Sequence, residues 1–400
     1  MAKTARALGS SLLLSLGALA AASPLDEAAA WLRGGEAALD FRYRFERVDQ
    51  EGPRRDARAS TLRSRLTLTS ATVRGFTGQL EVDDLATPGP DRYDSLLLDN
   101  PHFGEAAVVA DPPGTELNQA WLGYAEGPWT ATLGRQRITH GAHRFLGNVG
   151  WRQNEQTYDA LRLQYQEGAL ALDYAFLARV NRIFAGEGKS AQPERFEGAS
   201  HALLGSAALP VGTLSAFLYA LDFDEAEALS TLTWGLAYDV QFGPLALSAA
   251  AARQTDHADN PDHYAAPYLF LEARYGAAPV TLVAGYERLG SDGGERAFVT
   301  PLATLHKFQG WADQFLVTPA DGLEDLYGGA SAAVGPVKVG LYLHHFAADR
   351  GGEDYGSEVD WVITWPLHRR LTLELKYAAY DADAFATDTD KLWFTAQANF

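Results

Sequence analysis

The chain alternates apolar and polar residues with a period of two along most of its length. Residues 370–377 show the pattern clearly, because Leu371 and Leu373 interleave with Glu374 and Lys376. The same alternation recurs in 39–46, 62–69, 170–179 and 231–240. Successive side chains of a strand point to opposite faces, so each of these segments has one apolar and one polar face. The pattern predicts an all-β fold.

The connections between these segments alternate between short and long. Tight links lie at 124–129, 165–170, 241–245 and 334–337, and long polar connections lie at 84–115, 139–156, 182–197 and 290–322. This alternation is typical of strands that cross a membrane up and down as a closed antiparallel barrel. With a further tight link near 72–74, it predicts a single barrel of about 18 strands, within 16–18. We expect both termini and the short turns on the periplasmic side, and the long loops on the extracellular side.

A soluble β-sandwich is the alternative that also alternates, with its polar face outward. Three features favour a membrane barrel. The polar rows carry charged residues on many consecutive strands, which a sealed core would have to hold unpaired. The chain begins and ends in strand-like segments, as a closed cylinder requires. Aromatic residues also stand beside the short turns, as in an interfacial girdle: Tyr124, Trp129, Tyr165, Tyr275, Tyr286 and Trp365.

The first residues have the three parts of a secretory signal peptide. Lys3 and Arg6 precede an apolar run from 12 to 19, and small residues suited to cleavage follow near Ala20 or Ala22. The apolar run is shorter than the roughly 20 residues that a membrane-spanning helix needs. We therefore expect a cleaved signal peptide at 1–22, a short periplasmic segment at 23–35 and the barrel at 36–400.

The last residues, "LWFTAQANF" (392–400), continue the alternation to Phe400. This predicts that the last strand pairs with the first strand (39–46) and closes the barrel, with Phe400 at the periplasmic interface. The segment also resembles the carboxy-terminal signature of bacterial outer-membrane barrels. That resemblance implies recognition by the barrel-assembly machinery, and outer-membrane lipid and lipopolysaccharide as surroundings.

Composition excludes several classes of function. The chain has no cysteine, so it has neither zinc–thiolate sites nor thiol nucleophiles. Its net charge of −18 argues against nucleic acid as a partner. No Gly-x-Ser-x-Gly elbow, phosphate loop or His-Glu-x-x-His motif is present. His344 and His345 are strand neighbours that face opposite sides and cannot chelate one ion together. We predict no enzyme activity, no cofactor and no metal.

Three stretches resemble the alginate export family of outer-membrane channels. They are "LNQAWLGY" (117–124), "LGRQRITHGAHRFLGNVGWRQNEQTYDALRL" (133–163) and "TPLATLHKFQGWADQFLVTPADGLEDLY" (300–327). The resemblance implies an outer-membrane porin-like barrel of 18 strands. It also implies that an anionic uronic-acid polysaccharide, or a smaller solute, passes through an arginine-rich constriction.

Several basic residues are candidates for the path through such a barrel. The alternation places Arg42, Arg44, Arg63, Arg65, Arg162, Arg179 and Lys376 in the lumen, and Arg135 and Arg137 where a strand enters a long loop. Guanidinium groups suit carboxylates because they form two charge-assisted hydrogen bonds at once. The alternative is that these arginines only pair with lumenal acids and solvate the interior. The candidate partners are Asp40, Glu46, Glu81, Asp173 and Glu374.

Two long connections, 139–156 and 290–322, are rich in aromatic residues, among them Trp151, Phe308, Trp311 and Phe315. Loops of this length are commonly functional. We expect at least one of them to fold into the barrel and narrow the path, with its aromatic rings available to stack on sugar rings. The alternative is that both pack on themselves above the membrane.

Other long connections are acidic, for example 222–227 and 381–390. An acidic mouth would repel a polyanion such as alginate at low salt. Such loops either bind divalent cations near lipopolysaccharide or remain solvated. Two functions follow from the sequence. One is a passive channel for anionic saccharides or similar solutes, and the other is a plugged structural or adhesive barrel whose loops bind a partner.

Overall fold

The computed structural model describes residues 31, 33–184 and 188–400, so the predicted signal peptide and most of segment 23–35 lie outside the described residues. Eighteen strands form one barrel within this part of the chain. They are β1 (Glu36–Gln50), β2 (Ala57–Thr69), β3 (Phe76–Ala86), β4 (Gly114–Glu126), β5 (Trp129–Gln136), β6 (Thr157–Glu167), β7 (Leu170–Asn181), β8 (Arg195–Ala208), β9 (Thr213–Leu221), β10 (Thr231–Phe242), β11 (Leu245–Asp256), β12 (Ala265–Ala277), β13 (Val280–Leu289), β14 (Leu323–Val334), β15 (Val337–Ala347), β16 (Asp354–His368), β17 (Leu371–Ala382) and β18 (Thr389–Asn399).

Every barrel strand pairs antiparallel with the next strand along the chain, and β1 also pairs with β18. The closing register runs from Asp40 opposite Asn399 to Gln50 opposite Thr389. Closure removes the unpaired edges that an open sheet would present to lipid. The prediction of an up-and-down barrel of about 18 strands, closed by its last strand, is confirmed.

The two ends of the barrel differ in their connections. At one end, which we call the turn end, tight turns join the strands, and the last residue, Phe400, lies there. Several of these turns place a glycine in the left-handed conformation that other residues rarely adopt, as at Gly127 (φ 55°), Gly243 (φ 57°) and Gly335 (φ 59°). The opposite end, the loop end, carries the long connections.

The loops contain only short regular elements within the described residues. The strand Asp91–Arg92 adds to the edge of β2, and a small hairpin joins Ser291–Asp292 to Arg296–Ala297. Two single 3₁₀ turns lie at Glu227–Leu229 and Leu305–Lys307. No helix in the described part of the chain is long and apolar enough to cross a bilayer.

Apolar side chains cover the outside of the barrel. Leu133, Leu236 and Leu282 are 64 %, 56 % and 50 % exposed, whereas Arg44 and Glu46 on the inner face are 2 % and 1 % exposed. This distribution is the reverse of a soluble sandwich, whose apolar face would be sealed from solvent. It is the arrangement of a barrel whose outer surface meets lipid.

Two long connections fold back against the inner wall near the loop end. We call residues 137–156 the first inward loop and residues 290–322 the second inward loop. They meet at a bridge between Leu146 and Leu302, both fully buried. Each packs apolar residues against inward-facing side chains of the strands, for example Leu146 near Tyr158 and Phe315 against Phe346. The lumen is therefore narrowed at this level.

Candidate functional site

Two arginines of β1 hold the first inward loop by its backbone. Arg42 donates from Nε to Gln153 Oε1 at 2.8 Å and from Nη1 to the Gly150 carbonyl at 3.1 Å. Arg44 donates from Nη1 to the Trp151 carbonyl at 2.7 Å. Carbonyl oxygens of a tight loop are acceptors that need partners when buried, and guanidinium groups satisfy several of them at once. These two arginines therefore fix the loop to the wall.

Two arginines of β2 continue this row and pair with carboxylates. Arg63 pairs with Asp40, and Arg65 forms a two-pronged pair with Asp83 at 2.7 and 2.6 Å. Arg65 also lies 3.0 Å from Glu155 at the end of the first inward loop. The four residues Arg42, Arg44, Arg63 and Arg65 all face inward, and we call them the basic wall.

Arg137 joins the basic wall to the start of the first inward loop. It donates from Nε to Glu155 Oε2 at 2.7 Å and lies 3.3 Å from Glu81. Burial alone would raise the pKa of Glu155, but the hydrogen bond from Arg137 and the charge of Arg65 lower it to about 2. The Arg137 side chain is 35 % exposed, compared with 11 % for Arg65. Arg137 is thus a paired guanidinium that water still reaches.

Arg162 on β6 faces the lumen nearer the turn end. It donates from Nε to Asp173 Oδ1 on β7 at 2.8 Å, and its side chain is 18 % exposed. His140 of the first inward loop lies 3.6 Å from the same carboxylate. The three groups link the loop to two neighbouring strands and leave part of the guanidinium in contact with the open lumen.

Arg135 and Arg179 lie on the outer face of the barrel. Both contact Asp159, Arg135 at 2.7 Å and Arg179 at 3.5 Å. Strict alternation along β7 predicts that Arg179 faces inward. A β-bulge between Leu177 and Arg179 adds one residue and reverses the faces of the residues that follow. Arg135 faces outward because the adjacent Gln136 occupies the inner face. Neither residue reaches the lumen.

A second group of inward residues is acidic. Its members are Glu287 on β13, Asp325 on β14, and Glu358 and Asp360 on β16, and we call them the acidic wall. Glu358 accepts from the backbone N–H of Ala312 at 2.7 Å and also from that of Trp311. The Trp311 N–H lies 3.2 Å from Asp360 Oδ2 as well. The acidic wall therefore holds the second inward loop through its backbone donors.

The remaining carboxylates of the acidic wall pair with side chains. Glu287 accepts from Arg144 of the first inward loop and from Gln309 of the second. Asp325 accepts from His344 on the neighbouring strand at 2.9 Å. One carboxylate thus connects both inward loops to β13, so the two loops share an anchoring point on this wall.

Lys376 on β17 lies inside an aromatic cage formed by Trp151, Trp311, Trp393 and His306. Its ammonium nitrogen lies 3.6 Å from the centre of the Trp311 ring and 4.1 Å from that of Trp151. It donates to His306 Nε2 at 2.7 Å. A desolvated ammonium over indole faces is stabilised by about 2 kcal/mol. The cage therefore joins both inward loops to β17 and β18.

Asp313 of the second inward loop completes the contact between the loops. Arg152 of the first inward loop lies 3.2 Å from it, and Lys391 on β18 lies 3.0 Å from it. His306 Nδ1 donates to the same carboxylate at 2.7 Å. Burial, together with the charges of Lys376 and Arg152, holds the pKa of His306 well below its ordinary value despite Asp313. His306 is therefore neutral at pH 7.

The four loop aromatics identified in the sequence separate into two groups. Trp151 and Trp311 meet in the cage around Lys376. Phe308 instead covers the Arg144 guanidinium at 4.6 Å, and Phe315 packs 4.6 Å from the Phe346 ring in an apolar cluster. Phe308 and Phe315 thus support the second inward loop rather than the cage.

Several residues of the site were not identified from the sequence. They are Arg144, Arg152, His306, Asp313, Glu358, Asp360, Lys391 and Trp393. Arg152 directly follows Trp151, and Arg144 directly precedes Phe145. The position of a basic residue beside a loop aromatic is therefore a sequence signal that identifies these two arginines. The roles of the other residues depend on which loop reaches which strand, and spacing along the chain does not reveal that.

Phe400 lies at the turn end of the closing strand. Its backbone exchanges two hydrogen bonds with Leu39, of 3.1 and 2.8 Å. Its ring contacts Phe41 edge-on at 6.2 Å, and the Arg370 guanidinium lies 5.3 Å from its centre. The last residue is therefore part of the barrel wall.

The arrangement has the chemistry of a selective passage. Charged side chains of both signs line it, and most of them are paired. Rings of such groups select ions and polar solutes by charge and size. In the residues that the structure describes, no group of histidines and carboxylates is placed to hold a metal ion.

Solved structures with the same architecture are outer-membrane proteins. Pseudomonas aeruginosa OccK9 (OpdG) superposes with a TM-score of 0.71 at 16 % identity, over 93 % of this chain and 100 % of that one. Acinetobacter baumannii OccAB2 gives 0.70 at 14 %, over 93 % and 99 %. Pseudomonas aeruginosa OpdK, solved with vanillate, gives 0.67 at 12 %, over 92 % and 99 %. At these identities the likeness establishes the fold.

The family itself is established from sequence. No curated protein matches the chain. The family model described as alginate export matches residues 36–256, which is more than half of the 400 residues. The prediction of family and of location in the Gram-negative outer membrane is confirmed. The chain belongs to the alginate export family and is an outer-membrane β-barrel channel for the passive passage of solutes.

Proposed function

We propose that this channel passes small anionic saccharides, or solutes of similar charge and size, through a constriction made by the two inward loops. Passage is passive and needs no nucleotide, redox centre or catalytic step. The long loops are extracellular and the turn end is periplasmic in this proposal. The solute meets the loops first and leaves between the turns.

The observation that carries this proposal is the pair of lumenal guanidiniums that water still reaches. Arg137 and Arg162 are 35 % and 18 % exposed, although each is hydrogen-bonded to a carboxylate. An arginine with unused donors can add a second carboxylate without releasing the first. The two residues lie at different depths, so an anionic solute has successive points of contact.

The OpdK barrel was solved with vanillate, an aromatic carboxylate. A barrel of the same architecture thus accommodates a small organic anion. This supports a solute of similar size more than a long polymer, because the two inward loops and the aromatic cage lie inside the barrel and narrow the lumen at that level. The acidic outer connections, such as 222–227 and 381–390, support the same limit, since they would repel a chain with many carboxylates.

A plugged structural or adhesive barrel is the second candidate, and the burial of the basic wall favours it. Arg42, Arg44 and Arg63 are no more than 7 % exposed, and all three donate to loop carbonyls. In that case the inward loops would seal the lumen, and the acidic outer loops would contact a partner.

Planar-bilayer recording of the purified full-length barrel separates the two candidates. The channel predicts discrete currents, with a reversal potential that shows anion preference under a salt gradient. We expect Arg137→Gln combined with Arg162→Gln to reduce this preference, because two accessible positive charges are lost. Arg135→Gln is the matched control, since Arg135 lies nearby but faces outward. Silence at all voltages would support the plugged barrel. An unchanged preference in the double variant would exclude these arginines from selectivity.

Two features of biogenesis belong to the same proposal. We propose that residues 1–22 are removed as a signal peptide and that residues 23–35 remain in the periplasm. We also propose that the assembly machinery recognises the segment ending at Phe400. The mass of the chain recovered from outer membranes tests the first statement, and the amount of assembled Phe400→Ser barrel tests the second.

A further inference from the structure

Three arginines lie side by side at the loop end of the barrel. The register places Arg47 of β1 opposite Arg58 of β2, and Arg58 opposite Arg92 of the short strand that extends the sheet beside β2. All three side chains are exposed. They come from three separate segments, so the fold creates the row. We call these residues the outer arginine row.

The row faces away from the lumen, at the border of the lipid-facing surface. Arg47 lies between Glu46 and Val48, which are 1 % and 2 % exposed on the inner face. The next outward residue toward the turn end is Phe45, which is opposite Phe394 of β18. The row therefore begins where the apolar outer surface ends, at the depth where a membrane barrel meets lipid headgroups.

The charges of the row are only partly compensated. Arg47 lies 3.0 Å from Asp49 and 3.9 Å from Asp56. Among the residues described by the structure, Arg58 and Arg92 form no ion pair. Like charges that face each other across a strand pair are destabilising. A ligand with several negative charges would remove this repulsion.

Three outward arginines on neighbouring strands elsewhere on the barrel differ in this respect. Arg135, Arg179 and Arg195 alternate across neighbouring strands with Asp159 and Glu197. Each of these guanidiniums has a carboxylate partner within 3.5 Å. In the ranges that the structure describes, carboxylates thus neutralise the outward arginines of this region, whereas Arg58 and Arg92 of the row have no carboxylate partner.

Arg253 on β11 is also exposed without an ion pair in this part of the chain, but its cross-strand neighbours are Trp234 and Pro267. The close approach of three arginines is therefore what identifies the row as a binding surface.

We propose that the outer arginine row binds the phosphate groups of an anionic lipid in the adjoining leaflet, with the lipid's acyl chains on the surface around Phe45 and Phe394. Guanidinium groups bind phosphate oxygens with paired hydrogen bonds. Neighbouring strands are about 4.8 Å apart, so the row is about 10 Å long, which suits a headgroup that carries two phosphates. This inference is independent of the solute that passes through the lumen.

Native mass spectrometry of the detergent-purified full-length barrel tests the proposal, with diphosphoryl lipid A as the probe. We expect the wild type to retain one lipid, and the variant Arg47→Gln, Arg58→Gln, Arg92→Gln to bind at least about tenfold more weakly. The control is Arg195→Gln, Arg253→Gln, Arg350→Gln. It removes the same charge from exposed residues that do not form a row, and it should bind like the wild type.

Two further results would overturn the proposal. Equal weakening in both triple variants would mean that overall charge, rather than the row, attracts the lipid. Binding of inorganic phosphate alone with the same affinity and the same dependence on the row would assign the site to a free anion. A lipid A analogue without phosphates should bind the wild type and the row variant equally weakly. Heat-dependent mobility in detergent gels verifies that each variant is folded.

Discussion

The basic wall and the acidic wall hold the inward loops in opposite ways. The basic wall donates hydrogen bonds to carbonyl oxygens of the first inward loop, whereas the acidic wall accepts them from N–H groups of the second. The basic wall therefore supplies donors for buried carbonyl groups of one loop, and the acidic wall supplies acceptors for buried N–H groups of the other. The comparison shows that lumenal charge in this barrel serves first to fix the loops. Only groups left accessible, such as Arg137, are free to meet a solute.

Deleting 300–319 should have the largest effect on this arrangement. The deletion removes most of the second inward loop, including Trp311 and Ala312, and frees the acidic wall. We expect single-channel conductance to rise several-fold, and the preference to shift toward cations because Glu358 and Asp360 become accessible. Unchanged conductance would mean that this loop does not narrow the path.

Replacing Lys376 should have the next largest effect, because this residue contacts elements of both loops. Lys376→Met keeps the length of the side chain but removes the ammonium from the aromatic cage, at a cost of about 2 kcal/mol. We expect noisier open-channel currents and a lower unfolding temperature in detergent. Lys338→Met is the control, since Lys338 is exposed on β15 near the turn end. Equal effects of the two changes would contradict a special role for the cage.

Single changes in the two walls separate their effects on the two loops. Arg42→Gln removes hydrogen-bond donors to the first inward loop. Glu358→Gln weakens the hydrogen bonds that this side chain accepts from backbone N–H groups of the second inward loop. Each charged hydrogen bond is worth about 1.5–3 kcal/mol. Trypsin should therefore cleave the first variant faster after Arg152, and the second faster after Lys307. If both variants are cleaved faster at the same site, Arg42 and Glu358 do not hold different loops.

The smallest expected effect is a dependence on pH. Burial and neighbouring cations keep the pKa of His306 well below its ordinary value in the docked loop. When the loop is not docked, this histidine takes up a proton near pH 6.5, the ordinary pKa of the residue. The docked state binds fewer protons, so its stability is complete above about pH 6.5 and declines as the pH falls below that value. Current noise should rise between pH 7.5 and pH 5 in the wild type and less in His306→Gln.

The barrel was predictable because its pattern is local. Alternation and turn composition depend on neighbouring residues, so the strands and their order followed from short windows of sequence. The structure moves strand ends by a few residues, as when the connection expected at 84–115 is found at 87–113. The closing pair of β1 and β18 followed from the need to remove open edges in lipid.

The site was predictable only in part, because its contacts join distant segments. The carboxylate partners of Arg63 and Arg162 are among the expected acids, since they lie on adjacent strands. Arg137 contacts the expected Glu81, but its closer partner Glu155 is not among them. Arg179 was placed on the inner face because alternation gives no sign of the bulge that precedes it. The role of Asp313 requires two loops to meet inside the barrel, which no local pattern predicts.

Hydrogen exchange of the wild-type barrel in lipid tests most directly whether charged walls hold the loops inside the lumen. We expect amides of 309–315 to exchange far more slowly than those of the exposed connection 350–353, because Trp311 and Ala312 donate to buried carboxylates. Exchange of 309–315 at the rate of that connection would contradict this expectation.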